Sequence, residues 1–218
     1  MDLYVLGIGH NTPVFIDLAE SCGHRIAGLY HFNDTRTGEI DHGFEIIGSF
    51  NDLFSRSSLA GMAFLLTMGD NSIRENLTRT IVGKGGSVPT LIHPTAVISR
   101  FTEISDTGVY ISAFTHVQAD TRIGEGTILL SGVNVSHTNS IGRYCFVAGG
   151  ATIGAYTTVE DFVFVGQGAL TISGKVSNIG QHSLIGARAL VTHNVEPYSI
   201  VAGIPARRLK DRSKEPSN

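Results

Sequence analysis

An aliphatic side chain recurs at every sixth position through a long central stretch of this chain. The positions are Ile111, Val117, Ile123, Leu129, Val135, Ile141, Val147, Ile153, Val159 and Val165. An α-helix repeats near 3.6 residues and a β-strand every two, so neither produces a strict period of six. A chain that turns a corner after each short strand does produce it, because one aliphatic residue per segment then points inward. The pattern predicts a parallel β-helix built from hexapeptide repeats.

The residue four places after each aliphatic position is small, with one exception at Asn139. The small residues are Thr115, Thr121, Thr127, Val133, Cys145, Ala151, Thr157, Val163 and Ala169. They suit the inside of a triangular prism, where three short walls leave little room. Because Cys145 occupies one of these positions, we expect it to be packed in the interior rather than to form a disulfide, bind a metal or act as a nucleophile.

The repeat extends in both directions, with two irregularities. It continues backwards through Ile104, Ile98 and Ile92, with one extra residue before Ile111, and forwards to Ile179, Ile185 and Val191. The forward extension requires a slip of two residues within residues 170–175, which we expect to form a loop that bulges from a corner. The coil should therefore run from about residue 90 to about residue 200. The charged tail from Asp211 onward is expected to fray.

The residues before the coil follow a different pattern. The sequence predicts strands at residues 3–6, 25–30 and 63–67 and helices at residues 13–22 and 71–82. Strand, glycine turn, helix and strand in this order form a βαβ unit with a parallel sheet. We therefore predict an α/β, Rossmann-like βαβ domain over residues 1–86 and a parallel β-helix domain over residues 87–218. The turn Gly7-Ile8-Gly9 lacks the third glycine of a dinucleotide-binding fingerprint, so a full NAD site is not expected.

Composition narrows the range of partners and locations. A net charge of −3 and 16% charged residues give no reason to expect a nucleic acid or an anionic membrane surface as a partner. The N-terminus lacks the basic residues of a signal peptide, and no apolar run approaches the length of a membrane-spanning helix. We expect a cytoplasmic protein that engages neither nucleic acid nor membrane.

Histidine is the residue type in the coil that is most able to carry chemistry. The predicted coil contains His93, His116, His137, His182 and His193. Since none of them shows HxH or HxxxH spacing, we expect no metal. His137 comes two places after the inward Val135, which predicts a side chain on an outer strand face among small polar residues. In isolation this pattern is typical of a solvated surface histidine.

Four segments and the C-terminal ending give the chain a resemblance to a known family. The segments are Gly7-Ile8-Gly9-His10, residues 68–74 (Met-Gly-Asp-Asn-Ser-Ile-Arg), residues 91–96 (Leu-Ile-His-Pro-Thr-Ala), and Val135-Ser136-His137 with Ile141-Gly142; the ending is residues 200–207. Together with the repeats, they resemble the NeuD/PglD-type sugar acetyltransferases, which are hexapeptide-repeat acyltransferases with a left-handed β-helix. The resemblance covers nearly the whole chain.

The resemblance implies a homotrimer of left-handed prisms, with the co-substrate acetyl-CoA in the groove between neighbouring subunits. It also implies that the N-terminal domain binds a nucleotide-activated amino sugar. His137 would be the general base that takes a proton from the sugar amine, and the backbone N–H of Ala155 would meet the oxyanion. The implied cofactor contacts are Phe146, Ala155, Gln167 and Ala187, and the implied substrate contacts are Gly9, His10, Asn11, Phe32, Asn33, Gly69 and Asn71.

Three positions depart from the family pattern. Thr138 stands where the family usually has Asp or Glu directly after the base, and a hydroxyl cannot stabilise an imidazolium as a carboxylate does. Phe146 stands where the family often has a histidine near the thioester. Residues 30–34 (Tyr-His-Phe-Asn-Asp) replace the Asp-Asp pair that commonly ends the second strand, so an aromatic pair is available there to stack on a different base.

The favoured reaction is N-acetylation of a nucleotide-linked amino sugar in a surface-glycan pathway, because an amine needs less activation than an alcohol. Two alternatives remain open: a sugar O-acetyltransferase of the same family, and a catalytically inactive coil that acts as a scaffold, which Thr138 and Phe146 would suit. A γ-carbonic-anhydrase-like metal enzyme would need three histidines at one site. Only His116 and His137 are spaced close to one coil of such a prism.

Overall fold

The computed structural model describes residues 1–212 and divides the chain inside the short strand Leu91–Ile92. The two units are Met1–Leu91 and Ile92–Asn218, called here the N-terminal unit and the coil unit. The expectation of fraying from Asp211 is wrong at that residue, because Asp211 ends a strand and pairs with Ser199. The rest of the predicted tail, residues 213–218, lies outside the described residues.

The N-terminal unit is a five-stranded sheet with three α-helices. In chain order its elements are β1 (Asp2–Leu6), α1 (Thr12–Ser21), β2 (Arg25–His31), β3 (Ile40–Asp41), β4 (Phe44–Ser49), α2 (Phe50–Phe54), β5 (Phe64–Leu66) and α3 (Asn71–Gly83). The strand order is β3-β4-β2-β1-β5. β1, β2, β4 and β5 run parallel, and β3 is antiparallel to β4. The chain therefore builds the sheet outward from β1 in one direction and then returns to place β5 on its other side.

The predicted strands and helices of this unit are confirmed, each with ends within about two residues of those observed. The sequence reading missed the hairpin β3–β4 and the short helix α2. In β4, buried Ile46 alternates with the exposed residues Glu45 and Ile47, a pattern too short to stand out. The predicted third strand is therefore the fifth in the chain, and the sheet is larger than a single βαβ unit.

The coil unit consists of three sheets of very short parallel strands, closed at one end by a hairpin. Sheet 1 contains Leu91–Ile92, Tyr110–Ile111, Ile128–Leu129, Phe146–Val147, Phe164–Val165, Leu184–Ile185, Ser199–Gly203 and the antiparallel Ala206–Asp211. Sheet 2 contains Val97–Ile98, His116–Val117, Asn134–Val135, Thr152–Ile153, Leu170–Thr171 and Leu190–Val191. Sheet 3 contains Glu103–Ile104, Arg122–Ile123, Ser140–Ile141, Thr158–Val159 and Asn178–Ile179. The predicted parallel β-helix is confirmed.

The strand register accounts for both irregularities in the repeat. Along most of the coil each residue aligns with the one 18 positions later, as His116 does with Asn134. Val97 aligns with His116, 19 positions later, which is the extra residue before Ile111. Thr158 aligns with Asn178, 20 positions later, so the predicted two-residue slip falls in the turn after the strand Leu170–Thr171.

The interior of the coil contains the predicted aliphatic and small residues. The ten aliphatic residues of the central run are at most 3% exposed, and Cys145 is fully buried. Asn139, the exception among the small positions, is also buried, and its side chain replaces missing backbone bonds. Its Nδ2 donates to the Ser136 carbonyl at 2.7 Å and its Oδ1 accepts from the Thr157 amide at 2.7 Å. Ile92, in the first strand of sheet 1, keeps the register position of Ile111 but is 37% exposed.

Three corners connect the three sheets, and the turn at each corner stacks on the equivalent turn of the previous coil. Corner 1 leads from sheet 1 to sheet 2 (residues 148–150, 166–168 and 186–188), corner 2 from sheet 2 to sheet 3 (136–138, 154–156 and 172–174), and corner 3 from sheet 3 to sheet 1 (142–144, 160–162 and 180–182). Within residues 1–212, no helix is both long and apolar enough to cross a membrane.

Candidate active site

His137 lies at corner 2, directly after the strand Asn134–Val135, and its side chain is exposed. It occupies a bend rather than the strand face that the sequence predicted, because the chain turns as soon as Val135 has entered the core. Its Nδ1 lies 3.0 Å from the hydroxyl oxygen of Thr138. Its ring and that of Tyr156 on the next coil form a T-shaped pair, with ring centroids 5.1 Å apart and an interplanar angle of 89°. The imidazole thus contacts Thr138 and Tyr156, while the rest of the ring is exposed to solvent.

Thr138 is fixed by the backbone of the coil before it. Its amide donates to the Ala119 carbonyl at 2.9 Å, and its φ is +58°. The register places Asp120 at the same point of corner 2, one coil earlier than Thr138, and Tyr156 one coil later. Asp120 and Tyr156 are exposed. The sequence reading missed both, although each lies 18 residues from Thr138 and the period alone could have found them.

A groove of about 480 Å³ runs along the outer surface of sheet 3 beside corner 2. Tyr156 and Phe101 give it aromatic walls, and both rings are more than half exposed. The ion pair between Arg122 and Glu103, at 2.9 Å, is part of its lining, as is Thr138. The groove therefore begins next to the imidazole of His137 and combines aromatic rings with polar groups of both charges.

Ala155 lies one coil after His137 at the same corner. It is 4% exposed, and its N–H donates to the Ser173 hydroxyl oxygen at 2.9 Å. The amide that was predicted to meet the oxyanion is therefore covered by a side chain of the next coil. Sequence analysis gave no sign of this contact, because Ser173 belongs to the irregular segment where the period slips.

The predicted cofactor residues do not lie together within one chain. Gln167 and Ala187 are stacked at corner 1, whereas Ala155 is at corner 2 and Phe146 is on a strand of sheet 1. The N–H groups of Gln167 and Ala187 donate to no group among residues 1–212, and both residues are exposed. Phe146 is 6% exposed and its ring stacks on that of Phe164 at 5.4 Å, so it offers little surface to a cofactor.

The glycine turn after β1 presents Gly9, His10 and Asn11 to solvent at the N-terminus of α1. The turn is held by Thr12, whose hydroxyl donates to the Gly7 carbonyl at 3.1 Å and accepts from the Gly9 amide at 2.8 Å. A Cβ atom on Gly9 would meet nothing within 4 Å. The turn is therefore an open, rigid position in front of a helix N-terminus, where phosphate groups bind readily.

Phe32 and Asn33 follow β2, which is the neighbour of β1 in the sheet. The Phe32 side chain is 71% exposed and its ring lies 4.3 Å from that of buried His31. The Asn33 amide donates to Nδ1 of His31 at 3.0 Å, and its side-chain oxygen accepts from the Thr35 amide at 3.0 Å. Of the two adjacent aromatic rings, only that of Phe32 is exposed for stacking on a ligand.

Gly69 and Asn71 follow β5, on the other side of β1. A Cβ on Gly69 would lie 3.8 Å from the side-chain nitrogen of Asn11, so the loops after β1 and β5 are adjacent. Asn71 is 8% exposed, and its side-chain oxygen accepts from the Arg74 guanidinium at 2.9 Å. Arg74 also donates to the Gly69 carbonyl at 3.2 Å. Asn71 therefore shapes the loop together with Arg74 rather than pointing to solvent.

The seven predicted substrate residues thus lie in the loops at the carboxyl ends of β2, β1 and β5. On one side of β1 the chain continues through β2 to β4, and on its other side lies β5, so the strand order reverses between β1 and β5. In open parallel sheets, ligands bind at such a reversal, outside the carboxyl ends of the strands. Among residues 1–212, no three His, Cys, Asp or Glu side chains are grouped closely enough to hold a metal ion. The strand register places His116 beside Asn134, before the bend that carries His137.

A three-sheet coil of six-residue repeats, with an exposed histidine at one corner and open amides at another, is the arrangement expected of a hexapeptide-repeat acyltransferase. No family model matches the chain. It is 29% identical to the GDP-perosamine N-acetyltransferase of Escherichia coli O157:H7 over 196 residues, which are 88% of this chain and 87% of that protein. Over nearly its whole length the chain is similar to hexapeptide-repeat sugar acetyltransferases.

Two solved structures have the same architecture over nearly their whole length. PerB from Caulobacter crescentus, in complex with CoA and GDP-perosamine, has a TM-score of 0.87 and 26% identity, covering 96% of this chain and 98% of that one. The acetyltransferase domain of PglB from Neisseria gonorrhoeae FA1090, in complex with acetyl coenzyme A, has a TM-score of 0.84 and 26% identity, covering 95% and 98%. Both likenesses span the N-terminal unit as well as the coil.

Proposed function

We propose that this protein transfers the acetyl group of acetyl-CoA to the amine of a nucleotide-linked amino sugar, as a step of surface-glycan biosynthesis. The observation that carries the proposal is the near full-length likeness to PerB, whose structure holds CoA and GDP-perosamine. The relative from Escherichia coli is a GDP-perosamine N-acetyltransferase by name. A GDP-linked amino sugar of the perosamine type is therefore the acceptor we favour.

His137 is the general base in this proposal. If its Nδ1–H donates to the Thr138 hydroxyl oxygen, 3.0 Å away, then Nε2 carries the free lone pair. A neutral imidazole can accept a proton from a positioned amine and so act as a general base. It takes the amine proton as the nitrogen attacks the thioester carbonyl, and no covalent enzyme intermediate is needed.

Acetyl-CoA binds in a groove between subunits of a homotrimer of left-handed coils. The support comes from the two sets of corner residues. Gln167 and Ala187 present open amides at corner 1, and His137 lies at corner 2 of the same chain. A groove that combines corner 1 of one subunit with corner 2 of its neighbour brings both sets to one cofactor.

The N-terminal unit serves as a Rossmann-like nucleotide site, in a protein that acts in the cytoplasm. Its support is the meeting of three loops at the carboxyl ends of β2, β1 and β5. The turn at Gly9 faces the diphosphate with open backbone, and the exposed ring of Phe32 stacks on the base. The domains proposed here are the predicted ones, residues 1–86 for the nucleotide sugar and residues 87–218 for acyl transfer.

The test is thiol release from acetyl-CoA with a panel of GDP-, UDP- and dTDP-linked 4-amino sugars, combined with mass spectrometry of the product. Each amino sugar is matched with the same nucleotide sugar that carries a hydroxyl in place of the amine. We expect release and an N-acetylated product with the GDP-linked amino sugar and none with the hydroxyl analogue. Release with the hydroxyl sugars would identify an O-acetyltransferase. No release with any acceptor would favour the scaffold alternative and refute this proposal.

A further inference from the structure

The covered amide of Ala155 is the feature of corner 2 that the proposed reaction leaves unexplained. The Ala155 N–H donates to the hydroxyl oxygen of Ser173 at 2.9 Å. Ala155 itself is 4% exposed, whereas Ser173 is exposed. A thioester oxygen that approaches this corner from solvent therefore meets the Ser173 hydroxyl before it meets the amide.

The coil holds Ser173 in this place through several contacts. Gly154 packs so closely on the next coil that a Cβ would lie 2.5 Å from the Ser173 nitrogen. The Gly154 amide donates to the Thr171 hydroxyl at 2.8 Å, just before the loop. The Thr157 hydroxyl donates to the Val176 carbonyl at 2.8 Å, just after the loop's tip. The two extra residues of this coil therefore form a loop that is fixed at both ends, with Ser173 above the amide.

The other corners show what is particular about a serine at this point. At corner 3 the Arg143 amide donates to Asp161 at 2.7 Å, and the same carboxylate also accepts from the Arg143 guanidinium at 2.7 Å. A carboxylate only accepts, so that cap is closed. At corner 1 the corresponding residue is Ala187, whose methyl group cannot accept a hydrogen bond from the Gln167 amide. Of Asp161, Ala187 and Ser173, only Ser173 both accepts a hydrogen bond and retains a proton to donate.

The Ser173 proton has no acceptor within hydrogen-bond distance among residues 1–212. A hydroxyl that accepts a hydrogen bond becomes a better donor, because chains of hydrogen bonds polarise one another. The Ala155 N–H donates to the Ser173 hydroxyl oxygen, which leaves the Ser173 proton available to a negative charge that develops on the solvent side.

We propose that the Ser173 hydroxyl is a catalytic residue that donates the hydrogen bond to the thioester oxygen, with the Ala155 amide supporting it from behind. The proposal rests on the proposed acetyl transfer. The amine nitrogen forms a bond to the carbonyl carbon, and the electron pair of the C=O π bond moves to the oxygen. Ser173 stabilises this oxyanion and keeps its own proton, while His137 takes the amine proton. The C–S bond then breaks, the C=O bond re-forms, and the CoA sulfur leaves with the proton from His137.

The experiment compares Ser173→Ala and Ser173→Thr in the full-length protein, with kcat and KM measured for acetyl-CoA and the best acceptor of the panel. Loss of one oxyanion donor lowers kcat by about 10²–10³-fold in other enzymes. We expect a loss of that order in Ser173→Ala with little change in KM, and recovery of most of the activity in Ser173→Thr, which keeps the hydroxyl. Ser177→Ala is the matched control, since it removes a hydroxyl from the same loop that bonds only with Asn194.

Three outcomes decide the matter. An unchanged or raised kcat in Ser173→Ala would overturn the proposal, because the Ala155 amide then acts directly and Ser173 only covers it. A loss in Ser173→Thr equal to that in Ser173→Ala would also overturn it. If Ser173→Ala does not fold, Ser173→Cys replaces it, since a thiol is a weak donor, and full activity in that variant contradicts the role. Absence of transfer by the wild-type protein would instead refute the proposed function and this role with it.

Discussion

The two units of this protein place their functional residues by different means. In the coil, a rigid aliphatic interior and a register of 18 residues stack the corners, so that His137, Ala155 and Ser173 occupy equivalent points of successive coils. In the N-terminal unit the candidate residues lie in loops after β1, β2 and β5, and no period relates them. Under the proposed function, the coil carries the chemistry and the loops recognise the nucleotide sugar. Changes in the first should alter kcat, and changes in the second should alter KM.

The largest effect is expected for His137→Ala. Removal of a general base costs about 10²–10⁴-fold in rate, and we expect a fall in kcat of that size with little change in KM for the nucleotide sugar. Steady-state kinetics with acetyl-CoA measures both. His116→Ala is the control, because His116 is an exposed histidine of sheet 2, one coil earlier. A kcat near that of the wild type in His137→Ala would show that the base is another group.

Gly154→Ala should reduce the stability of the coil. The new Cβ would lie 2.5 Å from the Ser173 nitrogen and 2.6 Å from the Thr171 carbonyl oxygen, and backbone atoms of a packed coil cannot move aside. Overpacking of this kind costs about 1–3 kcal/mol, or several degrees of Tm in a thermal melt. Gly9→Ala is the matched control, since its Cβ would meet nothing within 4 Å. Equal melting temperatures for the two variants would contradict the close contact at Gly154.

Phe32→Ala should weaken binding of the nucleotide without slowing the chemical step. Stacking of a base on an aromatic ring contributes about 1–3 kcal/mol, so we expect KM for the acceptor to rise roughly tenfold while kcat stays the same. The control is Ile40→Ala, which removes a similarly exposed apolar side chain from β3, away from the strand ends that carry the loops. A fall in kcat with constant KM would place Phe32 with the chemistry instead.

Ser49→Ala should destabilise the N-terminal unit by about 1 kcal/mol, the usual cost of a lost helix cap. The Ser49 hydroxyl accepts from the Asp52 amide at 3.1 Å at the start of α2, and the Asp52 carboxylate accepts from the Ser49 amide at 2.8 Å. Calorimetry at neutral pH measures the change. Ser55→Ala, at the exposed end of the same helix, should change Tm less.

The same cap predicts a pH dependence. Hydrogen bonds from the Ser49 amide and then from its hydroxyl lower the pKa of Asp52 below its ordinary value of 3.8. The stabilisation is therefore present at pH values above 3.8 and is lost as the pH falls through the lowered pKa. The difference in Tm between the wild type and Asp52→Asn should shrink over that acidic range. A difference that stays constant would contradict the capping role.

The smallest effect is expected for Thr138→Glu. A carboxylate beside Nδ1 of His137 stabilises the imidazolium better than a hydroxyl does, so we expect kcat to rise several-fold and the acidic limb of the kcat/KM profile to move to higher pH. Thr138→Gln, which has the same size without the charge, should show neither change. A fall in activity in both Thr138→Glu and Thr138→Gln would mean that the Thr138 hydroxyl has a role of its own.

The sequence predicted most of the coil because its period leaves little freedom. The aliphatic residues, the buried Cys145 and both breaks in register follow from the spacing alone. The predictions of His137 and Ala155 depended on family motifs. Spacing could not show that Ser173 covers Ala155, since that contact arises in the segment where the period slips.

The N-terminal unit was harder to predict because no period relates its strands. β1, β2 and β5 contain short apolar segments, and α1 and α3 follow glycine-containing turns after β1 and β5; all five were found. The hairpin β3–β4 lies among glycines and charged residues and was missed. The exposure of Phe32 and the bonds between Asn71 and Arg74 depend on how neighbouring loops fold back, which no local pattern encodes.

The register also governs how such a protein can change in length. Removing or adding one complete turn of 18 residues preserves every backbone pairing, so whole turns are the natural unit of growth. After an insertion of any other length, the extra residues cannot pair in the sheets and must lie at a corner, as the two extra residues before Asn178 do. The interior then stays intact while the corner gains a new side chain that faces solvent. A repetitive scaffold can in this way acquire catalytic groups one at a time without rebuilding its core.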